Sequence, residues 1–170
     1  MKAIRRDAWC PEDLSLEVMS PRIFFDRSAA NTAAAIEQFD GQARYVKRDV
    51  DGHPGDETFC NFFVRETLAA QGVFIPRMRA NDMVDWFARS TEWATVPAWI
   101  ARDLAERGRP VVVGWKNDPG RPGHVARLRA ARPGDDSVSW YIAQAGLTNF
   151  IYAPLSSGFG ARPVKFFACP

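Results

Sequence analysis

Cys60 is the residue of this sequence best suited to nucleophilic chemistry, because it lies at the start of a segment with helical periodicity. The segment reads "TFCNFFVRETLAAQG", and its apolar residues Phe62, Val64 and Leu68 recur on one helical face. At a helix start, the sulfur lies near unpaired backbone N–H groups and the positive end of the helix dipole, and both favour the thiolate that attacks carbonyl carbons. The alternative interpretation is a buried cysteine that serves only packing.

His124 is the candidate general base for that thiol. In "RPGHVARL" it follows a Pro/Gly turn and begins an alternating segment typical of a β-strand. An imidazole at a strand end can face the start of a packed helix, where a base for Cys60 has to lie. The other histidine, His53 in "DGHPGDE", lies in a predicted loop with no element to orient it. The alternative for His124 is an ordinary polar role.

Gln144 is the third candidate, in the segment "YIAQAG" on the next predicted strand. Its amide oxygen can accept a hydrogen bond from one imidazole nitrogen and hold the other toward sulfur, without the charge that an aspartate supplies. A solvent-facing glutamine is the alternative. Taken together, a helix-start Cys, a strand-start His and a polar residue on the next strand indicate acyl transfer through a cysteine, although each residue alone has a structural explanation.

The composition favours one domain and argues against several kinds of partner. A chain of 170 residues with 46% hydrophobic content fits a single core. The 22 basic and 20 acidic residues give a net charge of +2, too small to predict a nucleic-acid partner. Basic residues cluster in 102–132, which is either a solvated face or a surface attracted to an anionic polymer.

The cysteines and the apolar runs limit the chemistry further. Cys10, Cys60 and Cys169 form no CxxC pair, so zinc ribbons and dense disulfide scaffolds are not expected, and a bond between Cys10 and Cys169 is left open. The sequence offers no convincing metal-ligand set, and we predict no metal and no cofactor. Residues 1–20 lack the apolar core of a signal peptide, and no stretch reaches the ~20 apolar residues of a membrane span. We therefore expect a chain made in the cytoplasm without a signal peptide, and no membrane partner.

The elements that must position the three candidates are helices first and strands second. Ser28 or Asn31 is the predicted cap of the first helix and Asn81 of the third, whereas Gly72 and Gly108 are predicted to end the second and fourth helices. This order predicts an α+β fold with N-terminal helices packed on a C-terminal antiparallel sheet. The periodicity predicts helices over 28–40, 58–71, 81–90 and 96–108, strands over 110–115, 124–130, 137–145 and 163–168, and a short strand at 22–25.

These motifs resemble the papain-like peptidoglycan hydrolases, namely the NlpC-type endopeptidases and the cysteine, histidine-dependent amidohydrolases. The segment "TFCNFFVRETLAAQGVFIPR" looks like their cysteine helix, "RPGHVARL" looks like their "GHV" strand, and "YIAQAG" falls where they carry the third polar residue. The segment "ANDMVDWF" further resembles the amidase effectors that bacteria deliver by type VI secretion, and related phage-borne wall hydrolases. The resemblance covers residues 43–168.

The resemblance has departures as well as matches. The Asp-Cys-Ser-Gly usual around the nucleophile is Phe59-Cys60-Asn61-Phe62 here, and Gln144 replaces the commoner histidine. Downstream, "AQAG", "NF", "GFG" and "VKFF" follow in the family's order. Tyr45 lies upstream of the cysteine, where these families often carry a site tyrosine. We therefore predict Tyr45 and Asn61 as substrate-binding residues, beside Cys60, His124 and Gln144 as catalytic residues.

The resemblance implies a single catalytic domain over 1–170, with an arm and first helix at 1–42 and a papain-like core at 43–168. The implied activity is that of a cysteine-dependent peptidoglycan amidase or endopeptidase acting through a thioester. The NlpC side of the resemblance suggests the bond between D-glutamate and the diamino acid of the peptide stem.

The implied partner is that peptide stem, with a cognate immunity protein if the chain is a secreted effector. The implied place of action is the periplasm or cell wall, reached by specialised secretion or phage-type release. Two alternatives are a non-catalytic wall- or partner-binding module, and a cysteine hydrolase of the same fold acting on another amide or ester.

Overall fold

The part of the chain that the structure describes forms five α-helices and one six-stranded sheet in which every strand pair is antiparallel, which confirms the predicted α+β class. The structure is a computed structural model and describes residues 22–46, 58–136 and 138–169. The elements in chain order are α1 (Ala29–Glu37), a 3₁₀ turn (Ala43–Tyr45), α2 (Cys60–Ala69), α3 (Ala80–Arg89), β1 (Ala94–Val96), α4 (Ala98–Glu106), β2 (Val111–Trp115), β3 (His124–Arg129), β4 (Tyr141–Ala145), β5 (Asn149–Pro154), α5 (Leu155–Phe159) and β6 (Lys165–Ala168).

The strand order is β1-β6-β2-β3-β4-β5, so β2 and β3 lie at the centre of the sheet. The central strands are almost completely buried because helices cover both faces of the sheet. In the register of β2 and β3, Trp115 lies opposite His124 and Gly114 lies opposite Val125. His124 is therefore the first residue of a central strand, at one end of the sheet.

Helices pack on both faces of this sheet and bury its alternating side chains. On one face, α2 and α3 share a core cluster with β2, β3 and β6, which includes Cys60, Val64, Leu68, Met83, Phe87, Val112, Val125 and Phe167. On the other face, α4 and α5 pack on the opposite set of strand residues, which includes Ala101, Ala105, Val113, Ala126, Leu128, Ile142 and Phe159. Alternate residues of β3 thus contact different helices, which fixes the register of the strand that begins with His124.

A buried arginine joins β3 to α2. Arg127 is fully buried and donates hydrogen bonds to Thr67 Oγ1, at 3.3 Å, and to Gln71 Oε1. Burial, with the charge of Arg129 as the second cause, lowers the pKa of Arg127 to about 9, so the guanidinium remains charged at neutral pH. These bonds fasten the strand of His124 to the helix of Cys60.

Most predicted helix ends agree with the structure. Of the two candidate caps of α1, Ser28 is the one used, and its side chain accepts from the Asn31 N–H at 3.1 Å. Gly72 and Gly108 follow α2 and α4 with φ of 72° and 76°. A Cβ on Gly108 would lie 2.2 Å from the carbonyl carbon of Ser28, so glycine is required there for close approach as well as for its backbone conformation.

Several predicted elements were wrong or missing. The segment 22–25 is extended but is not a strand of the sheet, and its Phe24 N–H donates to the Ala70 carbonyl at 2.7 Å. Strands β1 and β5 and helix α5 were not predicted, because β1 has 3 residues, α5 has 5, and β5 shows no buried face. Cys10 and His53 lie outside the described residues. Within the described ranges, no helix has the length and apolar character that crossing a bilayer requires.

Candidate active site

Cys60 is the first residue of α2 and lies in the core rather than on the surface. The preceding residue, Phe59, has φ −110° and ψ 28°, so the helical conformation begins at the cysteine. The first backbone bond of the helix runs from the Phe63 N–H to the Phe59 carbonyl at 2.9 Å. Cys60 is 3% exposed and packs on the helix face of Val64, toward the start of β3. The sequence prediction of a helix-start cysteine is confirmed.

Gln144 holds His124 by a hydrogen bond from Nε2 of the imidazole to Oε1 of the amide, with a length of 2.7 Å. The amide nitrogen Nε2 of Gln144 donates in turn to the Thr148 carbonyl at 2.9 Å. Because that carbonyl can only accept, the amide oxygen is the atom that faces the imidazole, and His124 carries its proton on Nε2. Nδ1 of His124 is then the nitrogen left for the sulfur of Cys60.

The electrostatics of the pair favour a thiolate. Burial is the largest influence on the pKa of Cys60 and raises it, but the hydrogen bond and positive charge of His124 act in the opposite direction. With smaller contributions from the Val125 N–H and the Thr58 side chain, the pKa of the thiol lies below its ordinary value.

The pKa of His124 moves in the complementary direction. Burial lowers the pKa of His124, whereas the hydrogen bond and negative charge of Cys60, together with the bond to Gln144, raise it above its ordinary value. The two shifts bring the pKa values of the thiol and the imidazole toward each other, and both favour a thiolate beside an imidazolium over the neutral pair.

The start of α2 also supplies donors for a developing oxyanion. The N–H groups of Cys60, Asn61 and Phe62 precede the first intrahelical bond, and the cap residue Phe59 contributes no side-chain hydrogen bond to them. Backbone donors at a helix start stabilise negative charge on an oxygen next to them. A carbonyl carbon attacked by the sulfur would place its oxygen in this region.

Two glycines that sequence reasoning missed make room for the His124–Gln144 pair. A Cβ on Gly158 of α5 would lie 2.2 Å from Gln144 Oε1, and a Cβ on Gly146 would lie 3.1 Å from Cε1 of His124. The ring of Phe159, the next residue of α5, packs on the His124 ring with centroids 4.8 Å apart. The unpredicted helix α5 therefore covers the histidine. The first glycine of the "GFG" motif, Gly158, is needed because the Gln144 amide occupies the space that a side chain at this position would fill.

Asn81 fastens the loop that leads to the histidine. It was predicted as the cap of the third helix, but α3 begins one residue earlier, at Ala80. Its side chain instead accepts from the Asn117 N–H at 3.0 Å and donates to the Arg121 carbonyl at 2.9 Å. These bonds hold both ends of the loop between β2 and His124. An asparagine near a helix start carries both the capping and the loop-binding signals, and sequence alone does not separate them.

Tyr45 and Asn61 lie near the site, but neither is shown to contact a substrate. Tyr45 is 3% exposed and donates its hydroxyl to Glu66, on the second turn of α2. Asn61 donates from Nδ2 to the Met78 carbonyl at 2.8 Å, which joins the start of α2 to the segment before α3. Both contacts support the position of α2, and the substrate-binding roles of the two residues stay predictions.

The other features to consider at the site are the second described cysteine and possible metal ligands. Cys60 and Cys169 are both free thiols, and Cys169 packs at the edge of the core cluster that contains Cys60. Across residues 22–46, 58–136 and 138–169, no group of three or more His, Cys, Asp or Glu side chains is arranged to hold a metal ion.

If Gln144 orients His124, replacing it should slow the reaction without abolishing it. We expect Gln144→Leu to lower kcat on the order of 10- to 1000-fold, because the imidazole loses its anchor while the nucleophile and the base remain. Gln144→His should retain more activity than the leucine variant, since an imidazole can also accept the bond. Turnover of a soluble wall fragment, with circular dichroism as the folding control, measures the series; a leucine variant as fast as the parent would exclude an orienting role.

The site can therefore form a thiolate, hold a base beside it and offer backbone donors to an oxyanion, which are the parts that acyl transfer needs. Residue chemistry and geometry carry this conclusion alone, because no protein-family model matches the sequence and no curated protein gives a significant match.

Proposed function

We propose that this chain is a cysteine-dependent amidase of papain-like fold that cleaves an amide bond in the peptide stem of peptidoglycan. The observation that carries the proposal is the arrangement of Cys60 at a helix start, His124 at a strand start and Gln144 on the neighbouring strand, joined by hydrogen bonds. The resemblance of these segments to wall hydrolases supports the choice of substrate. The net charge of +2 is also compatible with an anionic wall.

In the first half of the reaction, the Cys60 thiolate attacks the carbonyl carbon of the amide and forms a C–S bond. The carbonyl oxygen takes the negative charge and is stabilised by the N–H groups at the start of α2. The imidazolium of His124 gives its Nδ1 proton to the amide nitrogen, the C–N bond breaks, and the amine leaves. A thioester on Cys60 and a neutral imidazole remain.

In the second half, Nδ1 of His124 takes a proton from water as the oxygen attacks the thioester carbon. The intermediate collapses, the C–S bond breaks, and a free carboxylic acid leaves. The sulfur departs as the thiolate beside the protonated imidazole, so the starting ion pair is restored. Gln144 keeps its bond to Nε2 throughout, which holds the same face of the ring toward the sulfur.

The proposed place of action follows from the substrate. A wall amidase acts in the periplasm or the cell wall, reached by specialised secretion or phage-type release. If the chain is a secreted effector, the cell that makes it requires an immunity protein that covers this site.

Digestion of purified peptidoglycan tests the proposal. The parent protein is expected to release products whose masses differ from intact stems by the gain of one water per cut, and tandem mass spectrometry of the fragments identifies the cleaved bond. Peptidoglycan that is bound but not cut would indicate a wall-binding module instead. Cleavage of a general protein or ester substrate in place of the wall would indicate a different hydrolase of the same site chemistry.

A further inference from the structure

Arg162 lies beside the candidate catalytic pair, although the proposed mechanism does not use it. Its guanidinium stacks on the Trp115 ring, with Cζ 4.8 Å from the centroid, and its Nη1 donates to the Phe159 carbonyl at 3.1 Å. Both residues that Arg162 contacts, Trp115 and Phe159, are neighbours of His124. Trp115 is directly opposite His124 in the register of β2 and β3, and the Phe159 ring packs on the His124 ring.

The register places the two side chains on the same face of the sheet. Residues directly opposite each other in an antiparallel pair have Cβ atoms about 4.5–5.5 Å apart and point to one side. Trp115, with the Arg162 guanidinium stacked on its ring, therefore lies beside His124 on that face. The positive charge of Arg162 acts on His124 and lowers its pKa, in opposition to Cys60, which is consistent with this proximity.

Arg162 is an exposed residue, and its guanidinium has no acidic partner among the described residues. Another arginine stacked on an aromatic ring, Arg132 over Tyr152 at 3.9 Å, lies 3.6 Å from the carboxylate of Glu37. Arg162 thus presents a planar donor fork, fixed by a ring and a carbonyl, beside the position where an amide would be attacked. A fixed fork of this kind suits bidentate binding of a carboxylate.

We propose that Arg162, stacked on Trp115, binds a free carboxylate that the substrate carries next to its scissile amide. This inference rests on the proposed amidase function and narrows its substrates to acidic peptide stems. Two carboxylates of a wall stem fit this chemistry: the α-carboxylate of D-glutamate, and the carboxylate of the following diamino acid. The experiment has to distinguish them, because amidation of either one removes its charge with little change in size.

The test compares three soluble disaccharide–peptide fragments: one with both carboxylates free, one amidated on D-glutamate and one amidated on the diamino acid. We expect the parent to cleave the free fragment with a kcat/KM about 10- to 100-fold above that of one of the two amidated fragments. The carboxylate that is amidated in this poorly cleaved fragment is the one that Arg162 binds. Arg162→Gln should lower kcat/KM for the free fragment by a similar factor and abolish the preference. The kcat/KM of Arg162→Lys for the free fragment should lie between those of the parent and Arg162→Gln, because lysine keeps the charge without the planar donor fork.

Arg132→Gln is the matched control, since it also removes a guanidinium from an aromatic ring, but beyond the far end of β3 from His124. It is expected to keep the parent's preference. Equal cleavage of all three fragments by the parent, or an equal loss on all three in Arg162→Gln, would overturn the carboxylate site while leaving the amidase function intact.

Binding to the inactive Cys60→Ala protein gives a second readout that does not depend on turnover. Calorimetric titration should show tighter binding of the free fragment than of the amidated one, and Arg162→Gln in the same background should remove the difference. If this preference is present but the parent cleaves no fragment, carboxylate recognition stands and the amidase function fails. Absence of both cleavage and selective binding overturns both.

Discussion

Replacing Cys60 with serine is expected to lower kcat for peptidoglycan cleavage by on the order of 10⁴-fold or more, with the fold retained. Serine is close to cysteine in size and can keep the hydrogen bond from the Val125 N–H, so the start of α2 should not move. A hydroxyl does not ionise near neutral pH, however, so the anion opposite the imidazolium is lost. Release of stem fragments, measured by mass spectrometry against time, gives the rate, and circular dichroism confirms folding.

Cys169→Ser is the matched control for this change. Cys169 packs at the edge of the same core cluster and its backbone N–H donates to the Pro110 carbonyl at 3.1 Å, but its thiol is not part of the proposed chemistry. Its activity should remain within about twofold of the parent. A Cys60→Ser variant that retains more than about a tenth of the parent rate would contradict a nucleophile at this position.

His124→Ala is the second change with a large expected effect, a loss in kcat on the order of 10⁴-fold. The imidazole accounts for three parts of the proposed reaction: it lowers the pKa of Cys60, protonates the leaving amine and activates water. Removing it leaves a buried thiol whose pKa is raised by burial without the opposing charge. The rate of His124→Ala should therefore be lower than that of the parent, and the pH dependence of the rate should change as well.

The direction of the pH dependence follows from the two shifts. In the parent, Cys60 has a lowered pKa and His124 a raised one, and both shifts favour the reactive ion pair over the neutral pair. Activity should rise on the acidic side as the thiol loses its proton, and fall on the alkaline side as the imidazolium loses its own, giving a bell-shaped profile. Iodoacetamide labelling followed by peptide mapping should show Cys60 alkylated at lower pH than Cys169, and His124→Ala should move Cys60 alkylation to higher pH.

His53→Ala serves as the control for the histidine change, and it should leave most of the activity. The pattern that would contradict the assignment is the reverse: loss of wall cleavage in His53→Ala with activity kept in His124→Ala. Unchanged pH dependence of Cys60 alkylation in His124→Ala would also exclude the ion pair, even if the rate were reduced.

The three candidate catalytic residues were found from sequence because each is marked by a local signal. Cys60 precedes a run with helical periodicity, His124 follows a Pro/Gly turn, and Gln144 lies in a β-rich run, so each signal spans only a few residues. The α+β class was predicted because the helical and strand patterns are also local, and the helical patterns precede the strand patterns along the chain. What sequence could not provide is the contact among the three, because the 2.7 Å bond from His124 to Gln144 depends on the register of two strands.

The residues missed are those whose role depends on a distant neighbour. Gly158 belongs to the "GFG" motif, but the motif does not reveal its role, which appears only when the Gln144 amide is found where its Cβ would lie. Arg162 reads as one more exposed arginine until Trp115 is placed beneath it. Strand β5 follows the "AQAG" motif directly, but its edge position leaves it without the buried alternation that identifies a strand.

The two hydrogen bonds by which Asn81 holds the loop before His124 have a consequence for the thermodynamics of substrate binding. A loop that is ordered in the free protein has already lost its conformational freedom when the chain folds. A short peptide that binds beside it does not have to order it again, so more of its contact energy remains as affinity. Because the same asparagine belongs to α3, fluctuations that open the start of α3 also release the loop, and the geometry of the base depends on the stability of that helix.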